Sequence, residues 1–382
     1  MKRKIVFFCS LSSFNTGMPI STFKLAAGLA AKGAWDIYAI LPEDGELGRR
    51  LSGASVNVNI IPFCRFKRRP VSFLRFVFSY LGAGIRLYKF IKKNDISIVH
   101  FSDMIDAPFY PWAWIAKIKS VAHVRVCVGN PIIRLLFRKW AQLFCSHIIT
   151  ISHFTKRYYG FDKRVSVIYN PGPDRALFDP VKTQHLSDVK YDMAPTVITA
   201  ASFRKDKGHH NFLEIASLIK ERINGNVRFV IVGGKVQGHE DYYDKMMREA
   251  QRKGLHDCLT VTGNIPHEKV PSIMADAAVF MFAPDWEEAL GGVILEAMAM
   301  NAAVVAYDRG GIRECFTDGK SGYLVKHGDF DDAANKVAML LKSPSLIKNM
   351  TAEARIEIDT KFTLSNYMNG VEKIYKNLLV VR

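Results

Sequence analysis

Residues 277–299 read Ala-Ala-Val-Phe-Met-Phe-Ala-Pro-Asp-Trp-Glu-Glu-Ala-Leu-Gly-Gly-Val-Ile-Leu-Glu-Ala-Met-Ala. The apolar run from Ala277 to Ala283, closed by Pro284, has the pattern of a strand buried on both faces. Val293 to Met300 reads as an apolar helix. Glu288 then lies in a strand-to-helix loop, and Gly291-Gly292 opens the helix. Free amides and the positive end of the helix dipole suit that position to a phosphate, which glycine lets approach closely. Glu296 falls about one turn inside the helix. Two carboxylates that accept from hydroxyls, with amides between them, are the parts of a nucleotide-sugar site.

Further landmarks lie on either side. Downstream are Ala302-Ala303-Val304-Val305-Ala306-Tyr307-Asp308-Arg309-Gly310-Gly311-Ile312-Arg313-Glu314 and then Asp318-Gly319-Lys320-Ser321-Gly322-Tyr323-Leu324-Val325. Upstream are Lys207-Gly208 and Phe229-Val230-Ile231-Val232-Gly233-Gly234. A lone pair of glutamates at this spacing is weak evidence, but five ordered landmarks in one half are strong. Together they resemble the retaining GT-B glycosyltransferases of family 4 (glycosyl transferases group 1), from about residue 195 to 345, with weaker echoes towards the N-terminus.

The resemblance implies an α/β chain of two doubly wound, Rossmann-like domains facing each other across a cleft. Residues 1–185 would form the acceptor-binding domain and 186–363 the donor-binding domain, with a C-terminal helix over about 364–382 packing back on the first. Alternation of elements supports this independently, because strand–helix repetition builds parallel sheets. Strands are expected at 5–9, 36–41, 96–101, 121–126 and 148–151. In the second half they are expected near 196–201, 228–232, 258–262, 277–282, 302–306 and 322–325. Asn170-Pro171-Gly172-Pro173-Asp174 resembles the family's exit from the first domain, and the polar stretch 181–193 reads as a linker. The start, Met1-Lys2-Arg3-Lys4 and then Ile5 to Cys9, imitates a signal peptide. Its apolar part is short and no cleavage pattern follows closely, so it reads as a first parallel strand.

Carried over residue by residue, the resemblance implies that Glu288 binds the donor sugar and Glu296 the ribose. Leu290, Gly291 and Gly292 would offer amides, and Lys207 would bind the diphosphate. Where many members carry an arginine five residues before that lysine, this chain has Ser202, and Arg204 is the candidate substitute. Gly233, Asn264 and Ile265 fall in loops that border the nucleotide, and Gly17 in the first-domain loop facing the diphosphate. His123 and Arg125 share one strand face. Either one occupies the place of the family's histidine, and His123 reads equally well as a core residue. No Asp-x-Asp metal pair sits where the donor would lie. The resemblance therefore implies a metal-independent reaction without a cofactor, with a UDP- or GDP-sugar as co-substrate.

Charge divides the chain. The net charge is +17, with residues 1–180 holding 27 Lys/Arg against 10 Asp/Glu and the remainder 26 against 26. A basic face attracts anionic surfaces. From Arg65 to Lys93 there are nine Lys/Arg and no acid, Arg65, Lys67, Arg68 and Arg69 foremost, interleaved with aromatic residues. That mixture suits a membrane interface, stacking on nucleic acid, or a helix with one packed face and one solvated face. The first is the working expectation. It gives a peripheral enzyme at the inner face of the plasma membrane, a lipid-linked or glycan acceptor from polysaccharide or lipopolysaccharide assembly, and no nucleic acid partner. Six cysteines without metal spacing suggest a reducing cytoplasm, and no run of about 18 apolar residues suggests a spanning helix. The competing readings are a nucleotide-sugar 2-epimerase of the same fold and a basic nucleic-acid-binding protein. A nicotinamide dehydrogenase fails for want of Gly-x-Gly-x-x-Gly after the first strand.

Overall fold

A computed structural model describes residues 2–14, 16–63, 70–183, 194–223 and 226–380, with the backbone alone over 70–76. Seven strands form one sheet: β1 Arg3–Phe8, β2 Trp35–Leu41, β3 Asn57–Ile60, β4 Ile96–Phe101, β5 Lys119–Val124, β6 His147–Thr150 and β7 Val165–Val167. Six form another: β8 Thr196–Ala200, β9 Arg228–Val232, β10 Leu259–Val261, β11 Val279–Phe282, β12 Ala303–Tyr307 and β13 Tyr323–Val325. Their orders are β3-β2-β1-β4-β5-β6-β7 and β10-β9-β8-β11-β12-β13, and every neighbouring pair is parallel. Central strands covered on both faces must be apolar throughout. Ile5 to Phe8 in β1 and Val279 to Phe282 in β11 are buried accordingly.

All eleven expected strands are present within two residues at each end. β3 and β7 were not foreseen. Both are edge strands of three or four half-buried or exposed residues, too short and too mixed to carry a period. The strand expected at 121–126 ends at Val124, because the Arg125 amide donates to the Asp103 carboxylate (3.2 Å) instead of to a neighbouring strand.

The chain divides into one compact unit of residues 1–171 with 364–382 and another of 172–363. Residues 172–183, which the sequence reading counted in the first domain, cluster with the second unit. The Gly172 amide donates to the Phe362 carbonyl at 2.8 Å. The helix Leu364–Val380 is part of the first unit's core, where Tyr367, Val371, Ile374 and Tyr375 pack with Ile5, Phe7, Leu25 and Ile37.

Polar contacts fix the register of that helix. Arg125 Nη2 donates to the Tyr367 hydroxyl (2.7 Å), Tyr375 OH pairs with His100 Nδ1 (2.7 Å), and Trp35 Nε1 donates to Glu372 Oε1 (3.2 Å). Arg125 and Tyr367 are both buried, so removing one partner strands the other without water. Tyr367→Phe should lower stability by about 1–3 kcal/mol. Urea unfolding followed by tryptophan fluorescence reads this directly, because four of the five tryptophans lie in this unit. An unchanged midpoint would show that the hydroxyl carries no weight.

Candidate functional site

In doubly wound sheets, ligands bind beyond the carboxyl ends of the strands where the strand order reverses. In the second sheet that point lies between β8 and β11, which pair directly. The loops leaving these two strands are the ones that carry Lys207 and Glu288.

After β8 the chain passes Ser202 and Arg204 into a 3₁₀ turn, Lys205–Lys207. Gly208 follows at φ +71°, and a Cβ there would lie 1.8 Å from the Ala283 carbonyl oxygen. The turn is therefore pressed against the end of β11. Its carbonyl at Asp206 accepts from the Asp285 amide at 3.1 Å. Held in this way, Lys207 Nζ reaches Glu288 Oε1 at 2.6 Å, and both side chains are half-buried. The loop from β12 holds Glu288 from the other side. A Cβ at Gly310 would meet the Glu288 carbonyl oxygen at 2.3 Å, and one at Gly311 would meet that of Ala289 at 2.3 Å. The Gly311 amide donates to the Glu288 carbonyl at 2.7 Å. Arg309 Nη2 reaches the Asp285 carbonyl at 2.5 Å.

The helix predicted from Val293 begins one residue earlier and spans Gly292–Ala299. Gly291 stands at its N-cap, and no side chain caps its amides. No atom lies within 4 Å of where a Gly292 Cβ would sit, so the helix mouth is open. Glu296 Oε1 pairs with His267 Nε2 at 3.2 Å. Leu290 is buried, and its carbonyl accepts from the Cys315 thiol at 2.8 Å. Burial pushes that thiol's pKa upward.

The other candidates in this unit have mainly local partners. Arg204 Nε and Nη2 donate to both oxygens of Asp206 (3.0 and 2.9 Å), and Ser202 is exposed. The Gly233 amide donates to Thr262 Oγ1 (3.2 Å), and a Cβ there would meet the Ala201 carbonyl at 2.0 Å. Asn264 is exposed with Nδ2 on the Lys235 carbonyl (3.0 Å), and Ile265 is half-buried. His267 was not foreseen, since a lone histidine in a loop has no pattern. Neither was a cluster in which Asp285 meets His210 (3.1 Å), His327 (3.2 Å) and Asn211 (2.9 Å).

In the first unit the order reverses between β1 and β4. There the Asp106 carboxylate accepts from Ser10 N (2.9 Å), Ser10 Oγ (2.5 Å), Ser102 N (2.8 Å) and Asp103 N (3.1 Å), stitching the two strand ends together. Burial pushes its pKa up to about 7 against the hydrogen bonds from Ser10 and Asp103 that hold it down. His123 is buried with Nδ1 3.2 Å from His100 Nε2, and its own Nε2 has no hydrogen-bond partner. Burial first, and then the Arg125 charge, hold both imidazoles well below their ordinary pKa, so they are neutral. The Arg125 guanidinium is buried too, on the Ser102 carbonyl and the Tyr367 hydroxyl. Gly17 opens the helix Gly17–Ala31 with nothing within 4 Å of where a Cβ would sit. Arg65, Lys67, Arg68 and Arg69 lie outside the described residues. Among the described residues no group of three or more His, Cys, Asp or Glu is arranged to hold a metal ion.

Two family profiles match the chain: "Glycosyl transferases group 1" over residues 181–357 and "Glycosyltransferase Family 4" over 16–171. The chain is 29% identical over 187 residues to the alpha-D-kanosaminyltransferase of Streptomyces kanamyceticus, a match that spans 49% of this chain and about half (47%) of that one. It is 22% identical to the N,N'-diacetylbacillosaminyl-diphospho-undecaprenol alpha-1,3-N-acetylgalactosaminyltransferase of Campylobacter jejuni, covering 95% of this chain and 98% of the relative. Its fold matches that of Alr3699/HepE from Anabaena, solved in complex with UDP, with a TM-score of 0.81 at 18% identity over 99% of this chain and all of that one.

Gly208 sets the position of Lys207 by two separable effects, its positive φ and its contact with Ala283. Gly238 has φ +83° with nothing within 4 Å of a Cβ. Gly238→Ala should therefore lose only the backbone term, about 1 kcal/mol. Gly208→Ala should lose roughly 1–3 kcal/mol and displace Lys207. Equal urea midpoints for the two variants would remove the contact with Ala283 from the argument.

Proposed function

Given that the chain belongs to the group 1 (family 4) glycosyltransferases, we propose that it is a retaining, metal-independent enzyme that moves a sugar from a nucleoside diphosphate donor to a lipid-linked acceptor. The observation that carries this reading is the Lys207–Glu288 pair, 2.6 Å apart beside the open mouth of the helix Gly292–Ala299. Lys207 and the amides at Gly291 and Gly292 would take the diphosphate, which leaves with two negative charges to be stabilised. A fixed cation and a helix dipole do this without reorganisation at the moment of reaction. Glu288 would turn from Lys207 to the donor sugar hydroxyls, and Glu296 to the ribose. The acceptor hydroxyl would attack the anomeric carbon from the face that the diphosphate leaves, passing its proton to a departing phosphate oxygen. Configuration is then kept without a carboxylate nucleophile.

The donor is a UDP- or GDP-sugar in this reading, and the UDP complex of the Anabaena protein supports the first. The Campylobacter relative, whose name specifies a diphospho-undecaprenol acceptor, supports a lipid-linked precursor of cell-envelope polysaccharide. Such an acceptor would put the enzyme at the inner face of the cytoplasmic membrane. It would be bound by the basic first unit, residues 1–171 with 364–382. Among the described residues no helix is long and apolar enough to cross a membrane.

Glu288→Ala should lower kcat/KM by about tenfold or more, because hydrogen bonds to a charged group are worth roughly 1.5–3 kcal/mol. Lys207 is left half-exposed and can be solvated, so stability should change by less than about 1 kcal/mol. A fully active variant removes Glu288 from the site.

With each nucleoside diphosphate sugar of a panel, turnover should also persist in EDTA. Loss of activity restored by Mn²⁺ or Mg²⁺ would overturn the charge assignment to Lys207 and the helix mouth.

A further inference from the structure

A surface helix ordinarily turns its apolar stripe inward and its charges outward. The helix Pro131–Phe144 buries Phe137 and Ala141 but leaves most of its other apolar side chains in water. Asn130 caps it, Oδ1 accepting from the Ile132 and Ile133 amides at 2.9 and 3.1 Å. Ile132, Leu136 and Leu143 follow one another along its outer line and are 67%, 61% and 64% exposed. Ile133, Leu135 and Trp140 are exposed beside them. Its two arginines are half-buried. The Arg134 guanidinium lies 4.4 Å over the Tyr158 ring, and Arg138 Nη1 donates to the Gly160 carbonyl at 3.2 Å.

Two neighbouring helices continue the pattern. The helix Tyr110–Ile115 packs between Pro131–Phe144 and Pro70–Asn94. Its Trp114 and Ile115 are exposed. On Pro70–Asn94, Phe78 (73% exposed), Leu81 and Ile85 recur at helical spacing, while Ala83, Leu87 and Ile91 are buried. Three adjacent helices thus each leave an apolar stripe in water. Trp114 and Trp140 both pack on Phe144, with ring centroids 5.8 and 4.5 Å apart, which joins two of these stripes, and exposed apolar surface of this kind marks an interaction site.

Charge identifies the occupant. The three helices carry eight Lys/Arg and no Asp or Glu, and beside them Asp162 accepts from Gln142 at 2.8 Å. At one end of the face, Trp114 and Leu143 border an open cavity of about 660 Å³ that also contains Lys117, Lys119 and Arg164. An aliphatic and tryptophan surface rimmed mainly by cations matches a bilayer interface with anionic headgroups. A second copy of the chain would set cations against cations, which opposes a twofold interface.

We propose that the outer faces of Pro70–Asn94, Tyr110–Ile115 and Pro131–Phe144 insert together into the interface of an anionic phospholipid bilayer. This deepens the membrane-facing part of the proposed function, but it rests on different residues from the donor site. Ile132, Leu136 and Leu143 would enter the acyl boundary. Trp114 and Trp140 would sit at headgroup level, and Lys117, Lys119 and Lys139 would meet the lipid phosphates.

The test is cosedimentation with vesicles of phosphatidylcholine alone and of phosphatidylcholine with phosphatidylglycerol. Wild-type protein should bind the anionic vesicles preferentially, and high salt should weaken that binding. Ile132→Ser/Leu136→Ser/Leu143→Ser should lower anionic binding at least about tenfold. These side chains are exposed, so the fold should persist. Brominated lipids should quench wild-type fluorescence, and Trp114→Phe/Trp140→Phe should lose most of that quenching. Equal binding to both vesicles, a triple variant that binds like wild type, or a wild-type dimer that the triple variant converts to monomer would each overturn the proposal. Thermal shift with UDP and GDP on the same proteins separates the two readings. A shift kept by the triple variant leaves the donor site standing whatever the vesicles show. Vesicle binding lost in the triple variant while wild type shows no shift would leave the lipid face standing without the donor reading.

Discussion

Lys207 can meet Glu288 only because a backbone with no side chain at residue 208 comes to rest on the Ala283 carbonyl. Gly310 and Gly311 repeat the device on the far side, lying against the carbonyls of Glu288 and Ala289. Three loops from three parallel strands are thereby drawn closer than any side chain would allow. The carboxylate, the ammonium and the helix mouth all sit on that compressed arrangement. In the proposed reaction its rigidity would serve catalysis, since charges held in place beforehand need not be reorganised when the diphosphate departs. The glycines of this half would then act on the chemistry through the distance they permit between backbones.

The first unit solves the same problem differently. Its strand-order reversal is held by the buried Asp106 carboxylate, which gathers donors from Ser10, Ser102 and Asp103. Next to it, Arg125 and the neutral pair His100 and His123 are enclosed with Tyr367 and Tyr375. A buried network like this resists rearrangement as long as every member is satisfied. Within it, His123 Nε2, Arg125 Nε and Ser102 Oγ have no partner among the described residues.

Much of this was legible in the sequence, for identifiable reasons. Strands such as β1 and β11 are buried on both faces and leave unbroken apolar runs. Loops compressed by glycines leave glycines at fixed spacing. β3 and β7 left no trace, because Asn57–Ile60 and Val165–Val167 carry neither signal. His267 was silent because its partner, Glu296, is 29 residues away. The helix Pro131–Phe144 was overlooked for an instructive reason. Reading apolar spacing as core assumes that apolar residues turn inward, and there Ile132, Leu136 and Leu143 turn outward. Only accessibility in three dimensions separates the two cases.

The return of the helix Leu364–Val380 to the first unit bears on how the protein is made. On the ribosome, residues 1–171 emerge first, followed by the whole of 172–363, and only then the segment that supplies Tyr367, Glu372 and Tyr375. At roughly 5–20 residues per second, the earlier part waits on the order of 10–40 s for its last helix. Meanwhile Arg125 Nη2, His100 Nδ1 and Trp35 Nε1 lack the partners they have in the finished protein. The half that is synthesised first is therefore the half that is completed last. A nascent chain stalled before residue 364 would present an open apolar groove to chaperones, although the whole of its own sheet has already been translated.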